Sequence, residues 1–426
     1  MQEKKYEVGR GSAVTILVIL SLLWLINMAD RSIMTVALEA VKAYFKLNDT
    51  QAGSLAALVT GCIAVMMVPA AVLGDRWARR KIVAVMALIW SAATLLTGFC
   101  TNIVQMLVAR FMVGAGEAGY SPVGQAWLSV SFRKDIRSII IAIFFACSQL
   151  GMVVGLIVGG WLITSTGDWR TPFYVFGIPG VILAAIVYFL PDYKTVKEKG
   201  EAALSRKYFK DWSKIFKCPS YWMPTIGGIF FLSTVTAMSV WTPALLMRAY
   251  HMDAAEAGQK FSWVAVMLLL APLGGVIADR WQKSHRNGRP LFMALTAFMA
   301  LIFYIAAFFS LGQSVILLMV LLALATVFVG LNLPVGLTII NDVITPGLRA
   351  TAIGISGLIA QLLGATLGIV AVGAISDHLG GGASGLQWGM IWTLPFFALS
   401  IVANLILTKY YPGDSAKCTD EVFAEK

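Results

Sequence analysis

Long apolar runs recur along the whole chain, at Ala13–Ala29, Ile82–Cys100, Ile136–Ile163, Phe173–Leu190, Phe292–Leu311, Val315–Leu333 and Ile391–Leu407. Each approaches or exceeds the roughly 20 residues that a helix needs to cross a hydrocarbon core. In lipid, a backbone with no water to bond must satisfy its own polar groups, so runs of this length predict helices. Only 13% of the 426 residues are charged and the mean hydropathy is +0.79, too few charges to cover a water-facing surface. The expected fold is an all-α polytopic membrane protein with twelve spans at roughly 13–45, 51–75, 81–101, 103–131, 137–165, 169–192, 221–249, 256–280, 290–311, 314–344, 349–378 and 386–411.

The first run follows Lys4, Lys5 and Arg10, as a signal peptide would. It is too long for one, and charge follows it where a small-residue cleavage site would stand, so it is read as span 1. Of 33 Lys and Arg, 26 fall in loops on the side of the N-terminus, five on the opposite side (Lys42, Lys46, Arg170, Arg248, Lys260), and Arg31 and Arg110 inside spans. That asymmetry places both termini in the cytoplasm. The net charge of +11 then reflects topology and implies no nucleic-acid partner. Cysteines 62, 100, 147, 218 and 418 show no paired or metal-like spacing, and the three histidines (251, 285, 378) lie in predicted loops. We expect no disulfide framework, cofactor or metal, and no nucleophile–base set marks an enzyme.

The chain repeats itself. "LGDRWARRK" (Leu73–Lys81) returns as "IADRWQKSHRNGR" (Ile277–Arg289), about 204 residues later; "AYFKLNDTQAG" (Ala43–Gly53) returns as "AYHMDAAEAG" (Ala249–Gly258); "SPVGQAWLSVSFRKDIRS" (Ser121–Ser138) returns as "LPVGLTIINDVITPGLRA" (Leu333–Ala350), offset 212. Between the copies lies the longest polar stretch, Asp192–Pro219, with eight Lys or Arg. The expected organisation is a six-helix bundle over 1–192, a cytoplasmic linker over 193–220 and a second six-helix bundle over 221–426. A repeated helical unit of this kind is the signature of a transporter with its site near the midplane.

These stretches also carry a resemblance. Gly74, Asp75, Arg76, Arg79, Arg80 and Lys81 resemble the helix 2–3 loop motif of the major facilitator superfamily, with Ala78 in place of its second glycine. "RFMVGAGEAG" (Arg110–Gly119) resembles that family's helix 4 motif. "GMVVGLIVGG" (Gly151–Gly160) resembles its helix 5 motif, but with Leu156 where antiporters carry proline. "NMADRSIMTVAL" resembles helix 1 of the anion:cation symporters, and "GEAGYSP" (Gly116–Pro122) resembles the Spinster-type lipid transporters. The resemblance implies secondary transport in the cytoplasmic (inner) membrane by a monomer, with no cofactor.

Charges inside spans are expensive, about 2.5–3.5 kcal/mol each at a helix centre, and Asp30, Arg31, Arg110 and Glu117 are therefore functional candidates. A guanidinium at Arg31 offers a fork of donors suited to a carboxylate or phosphate. It is either the substrate anchor or one side of an ion pair with Asp30 or Glu117. Arg110 and Glu117 stand two turns apart and share a helix face. Glu117 either loads and releases a proton or stays paired to Arg31 or Arg110; resemblance to the anion symporters implies that Asp30 and Glu117 carry protons and that Arg110 packs the bundle along the proton path. Tyr120, Gln125, Trp241, Asn332 and Gln361 are further candidates for contact with substrate. Gly74, Asp75, Arg76, Arg79 and Arg80, with Asp279 (the repeat of Asp75), Arg280, and the matched pair Arg137 and Arg349, are candidates for gating, because charge-assisted contacts at helix ends can hold one conformation and release another.

The leading expectation is symport of a small organic carboxylate with protons. The alternatives are a Spinster-like lysolipid or amphipath transporter, a drug:proton antiporter, and a non-transporting sensor or membrane enzyme.

Overall fold

The structure is a computed structural model that describes residues 9–76, 78–133, 136–191, 212, 215–345 and 348–424. Most of the linker predicted over 193–220 lies outside the described residues. The chain is helical throughout its spans: α1 (Arg10–Phe45), α2 (Asp49–Arg76), α3 (Arg79–Thr97), α4 (Ile103–Glu117), α5 (Tyr120–Ser131), α6 (Arg137–Thr166), α7 (Thr171–Tyr188), α8 (Pro219–Tyr250), α9 (Ala254–Ala265), α10 (Ala271–Ser284), α11 (Gly288–Phe309), α12 (Val315–Val343), α13 (Arg349–Ile359), α14 (Leu367–His378), α15 (Gly382–Ile391) and α16 (Leu394–Ala424). Eleven segments among the described residues are long and apolar enough to cross a membrane. The predicted span 103–131 is the twelfth, split into α4 and α5 at Ala118–Gly119. Pro122 explains the split: it has no N–H to close the turn onto Ala118. A seven-residue π-helical segment, Ala360–Thr366, joins α13 to α14.

Local sequence chemistry sets the ends. Asn102 and Asp253 cap α4 and α9 by accepting from the backbone N–H of Gln105 and Glu256, which satisfies otherwise orphaned donors. Lys46 and His251 both adopt φ 55°, the only non-glycine residues with positive φ among those described. They end α1 and α8, at matching places in the first and second copies of the Ala-Tyr motif.

Two compact units emerge. The first joins Met1–Thr195 with Ser239–Val266 and Gly381–Ala383; the second joins Val196–Met238, Met267–Gly380 and Ser384–Lys426. The boundary passes through α8 at Ser239.

Within each unit the same clamp recurs. A Cβ on Gly151 or Gly155 of α6 would lie 2.2 or 2.4 Å from the carbonyl oxygens of Leu25 and Ala29 in α1. In the second unit a Cβ on Gly364 or Gly368 would lie 2.4 or 2.2 Å from those of Ile229 and Ser233 in α8. Only glycine lets helix backbones approach this closely. Leu25 to Ile229 and Ala29 to Ser233 are both 204 residues, so the repeat legible in the loops extends to the packing contacts.

The charge pattern is inverted relative to a soluble protein. On α4, Val104, Leu107, Val108 and Phe111 are exposed while Arg110 and Glu117 are buried; on α1, Val14, Val18 and Leu22 are exposed at helical spacing. Apolar side chains outside and charges inside are what a lipid solvent selects. Aromatic rings fill the first core, where Trp24, Trp90, Trp127, Tyr120 and Phe144 pack together. None of the five cysteines is joined in a disulfide. Outside the spans, burial and then Asp414 push the Cys218 thiol up to about 11, so it stays a neutral thiol at physiological pH.

Candidate substrate and proton site

The four charges predicted inside spans 1 and 4 come together in the first unit as two ion pairs. Asp30 and Arg31 are neighbours on α1, so their side chains leave the helix about 100° apart, and each finds a different partner on α4. Asp30 and Arg110 are both 1% exposed, with Arg110 Nη2 3.8 Å from Asp30 Oδ1. Arg31 donates from Nε to Glu117 Oε2 at 2.7 Å.

The pairs differ in openness. Asp30 accepts at Oδ2 from the Thr94 hydroxyl at 2.9 Å, Arg110 donates to the Thr97 hydroxyl at 2.6 Å, and its guanidinium carbon sits 5.1 Å above the centre of the Phe173 ring. α3 and α7 thus close this pair in from behind. Arg31, by contrast, keeps 38% of its side chain exposed while Glu117 is closed off at 0%. The guanidinium makes no other hydrogen bond among the described residues, so a donor fork remains free for an incoming anion. Glu117 has one oxygen without a hydrogen bond, as do Asp30 at Oδ1 and Arg110 at Nε. Buried charges with unused hydrogen-bonding capacity are poised for a change of protonation or partner. The break between α4 and α5 begins one residue after Glu117, which gives this carboxylate a bendable support.

The other predicted substrate contacts are distributed differently. Tyr120 is 2% exposed and donates to the Leu20 carbonyl, with its ring 5.0 Å from Trp90 and 5.4 Å from Trp24. Trp241 is fully buried. Asn332 donates to the Met293 carbonyl and the Thr296 hydroxyl, both at 2.8 Å. Gln125 bonds to Ser121 one turn away, and Gln361 is half-buried within the π turn. None of these five joins the Arg31–Glu117 pair among the described contacts.

Of the predicted gating residues, Gly74, Asp75 and Arg76 end α2 and their side chains lie outside the described residues. Arg79 donates to the Ala126 carbonyl and Arg80 to that of Leu190. Asp279 accepts from Arg289 at 3.1 and 2.9 Å. Arg289 also bonds Asp342 and the Tyr411 hydroxyl, so this second-unit cluster ties α10, α11, α12 and α16 together. Arg280 is exposed, Arg349 donates to the Ile344 carbonyl at 3.0 Å, and Arg137 is half-buried at the first position of α6. Sequence reasoning missed Thr94, Thr97, Arg289 and a separate ionic cluster of Glu39, Asp49 and Arg248. The threonines carry no signal, being ordinary residues of apolar spans; Asp49 and Arg248 stand in or beside the repeated Ala-Tyr motif and were within reach.

The chain has relatives among known proteins, and its fold has a counterpart among solved structures. Protein spinster homolog 1 of Xenopus laevis is 27% identical over 387 residues, covering 86% of this chain and 73% of that protein. The sphingosine-1-phosphate transporter SPNS2 of Xenopus tropicalis is 26% identical over 394 residues, covering 88% and 76%. The crystal structure of a bacterial homolog to the human lysosomal transporter Spinster, inward-facing and unoccupied, superposes with a TM-score of 0.83 at 22% identity over 96% of this chain and 99% of that one. The family model of the Major Facilitator Superfamily matches residues 20–287 and again 246–420, and with twelve spans, an internal repeat and buried charges between α1 and α4, the chain belongs to the Major Facilitator Superfamily of membrane transporters.

Proposed function

We propose that the protein couples the transport of an organic anion to protons, with Arg31 as the anion anchor and Glu117 as the proton carrier. The half-open Arg31–Glu117 pair is the observation that carries this reading. A carboxylate or phosphate reaching the free side of Arg31 competes with Glu117 for the guanidinium. In the low dielectric of the span, two anions on one cation are unfavourable, and a proton on Glu117 relieves the conflict. Anion and proton therefore bind together, which is the thermodynamic condition for symport. Asp30, with one unused oxygen 3.8 Å from Arg110, is the second proton position.

An amphipathic anion, with a phosphate or carboxylate head and an apolar body, is the substrate class we favour over a small carboxylate. One cation in an apolar setting suits it, and among the relatives is a protein named for sphingosine-1-phosphate transport. Alternating access in a cytoplasmic membrane, with both termini cytoplasmic and the chain monomeric, completes the proposal.

A thermal-shift panel on detergent-purified protein tests it, with lysophospholipids, sphingosine-1-phosphate, sugar acids and dicarboxylates against wild type and Arg31→Ala. A ligand at 100 times its Kd stabilises a protein by about 2.7 kcal/mol. The proposal expects an amphipathic phosphate or carboxylate to raise the Tm of wild type and leave Arg31→Ala unmoved. A ligand whose stabilisation survives loss of Arg31 removes the anchor from the mechanism; a response to small carboxylates alone transfers the site to the small-anion reading.

A further inference from the structure

Three helix ends of the second unit meet on the side of the predicted linker. The chain entering α8 brings Lys217 and Cys218, the end of α12 brings Val343, Ile344 and Thr345, and the tail of α16 brings Asp414, Lys417 and Cys418. Residues 414, 417 and 418 are spaced i, i+3 and i+4, so one face of α16 carries all three. The dipeptide Lys-Cys stands at 217–218 and again at 417–418, and both copies line one cavity of about 310 Å³. That volume lies at the lower end of the range for small-molecule sites.

The lining is divided between apolar and charged groups. Ile215, Val343, Ile344 and Leu348 belong to the buried apolar core of the second unit. The charges of the remainder do not cancel. Asp414 accepts at Oδ2 from the Ser220 N–H at 3.2 Å and from the Cys218 thiol at 3.6 Å. Ser220 is the second residue of α8, so the carboxylate is held at the positive end of that helix. Asp342, one residue before Val343, is taken by Arg289. Lys217 and Lys417 are exposed and make no hydrogen bond or ion pair with the described residues. Two cations therefore border the cavity with no anion of their own.

A ligand suited to this lining has a compact anion and an apolar body. Lysine ammonium groups bind phosphate as point charges, with their stems laid along apolar surface and their heads in water. The cytoplasmic leaflet is rich in anionic lipid, and basic pockets between helix ends on that side receive its headgroups. A soluble phosphate would gain nothing from Ile215, Ile344 and Leu348. A neutral lipid would gain little from the two lysines.

We propose that this cavity binds the phosphate of an anionic phospholipid, with Lys217 and Lys417 holding the headgroup and the apolar wall taking the start of its acyl chains. An occupied site ties the entry of α8 to the ends of α12 and α16. The inference rests on the topology read from the sequence and is independent of the roles given to Arg31 and Glu117.

Native mass spectrometry on the detergent-purified full chain tests the site by following the first phosphatidylglycerol to bind. Phosphatidylcholine with the same acyl chains and inorganic phosphate are the comparison ligands. Lys217→Gln with Lys417→Gln removes the charges, and Thr345→Trp fills the cavity at constant charge. Lys409→Gln, at an exposed residue of α16 outside the cavity, lowers the net charge elsewhere. The proposal expects the Kd of phosphatidylglycerol to rise about tenfold or more in the double variant and comparably in Thr345→Trp. Lys409→Gln should match wild type, phosphatidylcholine should bind more weakly, and phosphate should not compete. Unchanged binding in the double variant or in a folded Thr345→Trp, or equal weakening by Lys409→Gln, would show diffuse attraction to a basic surface and overturn the site. Displacement by inorganic phosphate would assign it to soluble anions, and equal binding of phosphatidylcholine would leave only an apolar cleft; either result also overturns the proposal. The double variant changes only exposed side chains, and it decides the matter if Thr345→Trp does not fold.

Discussion

The two halves of this protein share a backbone plan and differ in chemistry. In the first, α1 meets α6 through Gly151 and Gly155; in the second, α8 meets the π turn and α14 through Gly364 and Gly368, with Cβ-to-carbonyl spacings of 2.2–2.4 Å in both. At the repeat offsets of 204 and 212, however, Asp30, Arg31, Arg110 and Glu117 correspond to Thr234, Val235, Leu322 and Val329. Leu322 and Val329 are buried at 3% and 1%, and Thr234 bonds to the Thr393 carbonyl at 2.7 Å. The same positions are packed and neutral in one half and charged in the other. Packing alone therefore does not demand the charges, as the proposed role in anion binding and proton coupling requires.

Exchanging chemistry between the halves tests this most severely. Arg110→Leu leaves Asp30 buried without its cation and is expected to destabilise the protein by ~3–5 kcal/mol. Adding Asp30→Thr, which completes the second-half pattern, should recover most of that loss in Tm while transport stays abolished. If the double variant is as unstable as the single one, the pair is a structural necessity and the comparison fails.

The shared clamp predicts a symmetric effect. Gly155→Ala and Gly368→Ala each force a helix pair apart, at about 1–3 kcal/mol apiece by the usual scale of overpacking. Gly354→Ala, with nothing within 4 Å of the added carbon, serves as a control that leaves the Tm unchanged or slightly raised. Unequal losses at Gly155 and Gly368 would mean that only one half relies on the clamp. The smallest effect is expected at Asp279→Asn, where the side chain is 53% exposed and removal of an exposed partner alters stability by ~1 kcal/mol or less.

Much of the fold was legible in the sequence, because lipid imposes a single length scale on every apolar run and the loop motifs repeat at a fixed offset. The break after Glu117 was only half legible. Pro122 marks it, but prolines at 69 and 334 sit inside unbroken helices, so proline alone does not say where a helix separates. The candidate site was legible where it is charged, since an ion in a span has few bland explanations. It was illegible where it is polar and neutral. Tyr120 and Asn332 have their hydrogen-bonding capacity taken by carbonyls 100 and 39 residues away, and Thr94 and Thr97 gain their meaning only from Asp30 and Arg110 on other helices. The choice between subfamilies turned on short motifs, and "GEAGYSP", the Spinster-like one, agrees with the relatives found.

The central claim is that Arg31 and Glu117 link a proton to an anion. The most direct measurement is the affinity of an Arg31-dependent ligand at several pH values, in wild type and in Glu117→Gln. The account predicts that wild-type affinity weakens as pH rises, approaching tenfold per pH unit once Glu117 is mostly ionised in the free protein, while Glu117→Gln binds the ligand with a Kd independent of pH. An identical pH dependence in both proteins would contradict it, and would take Glu117 out of the coupling.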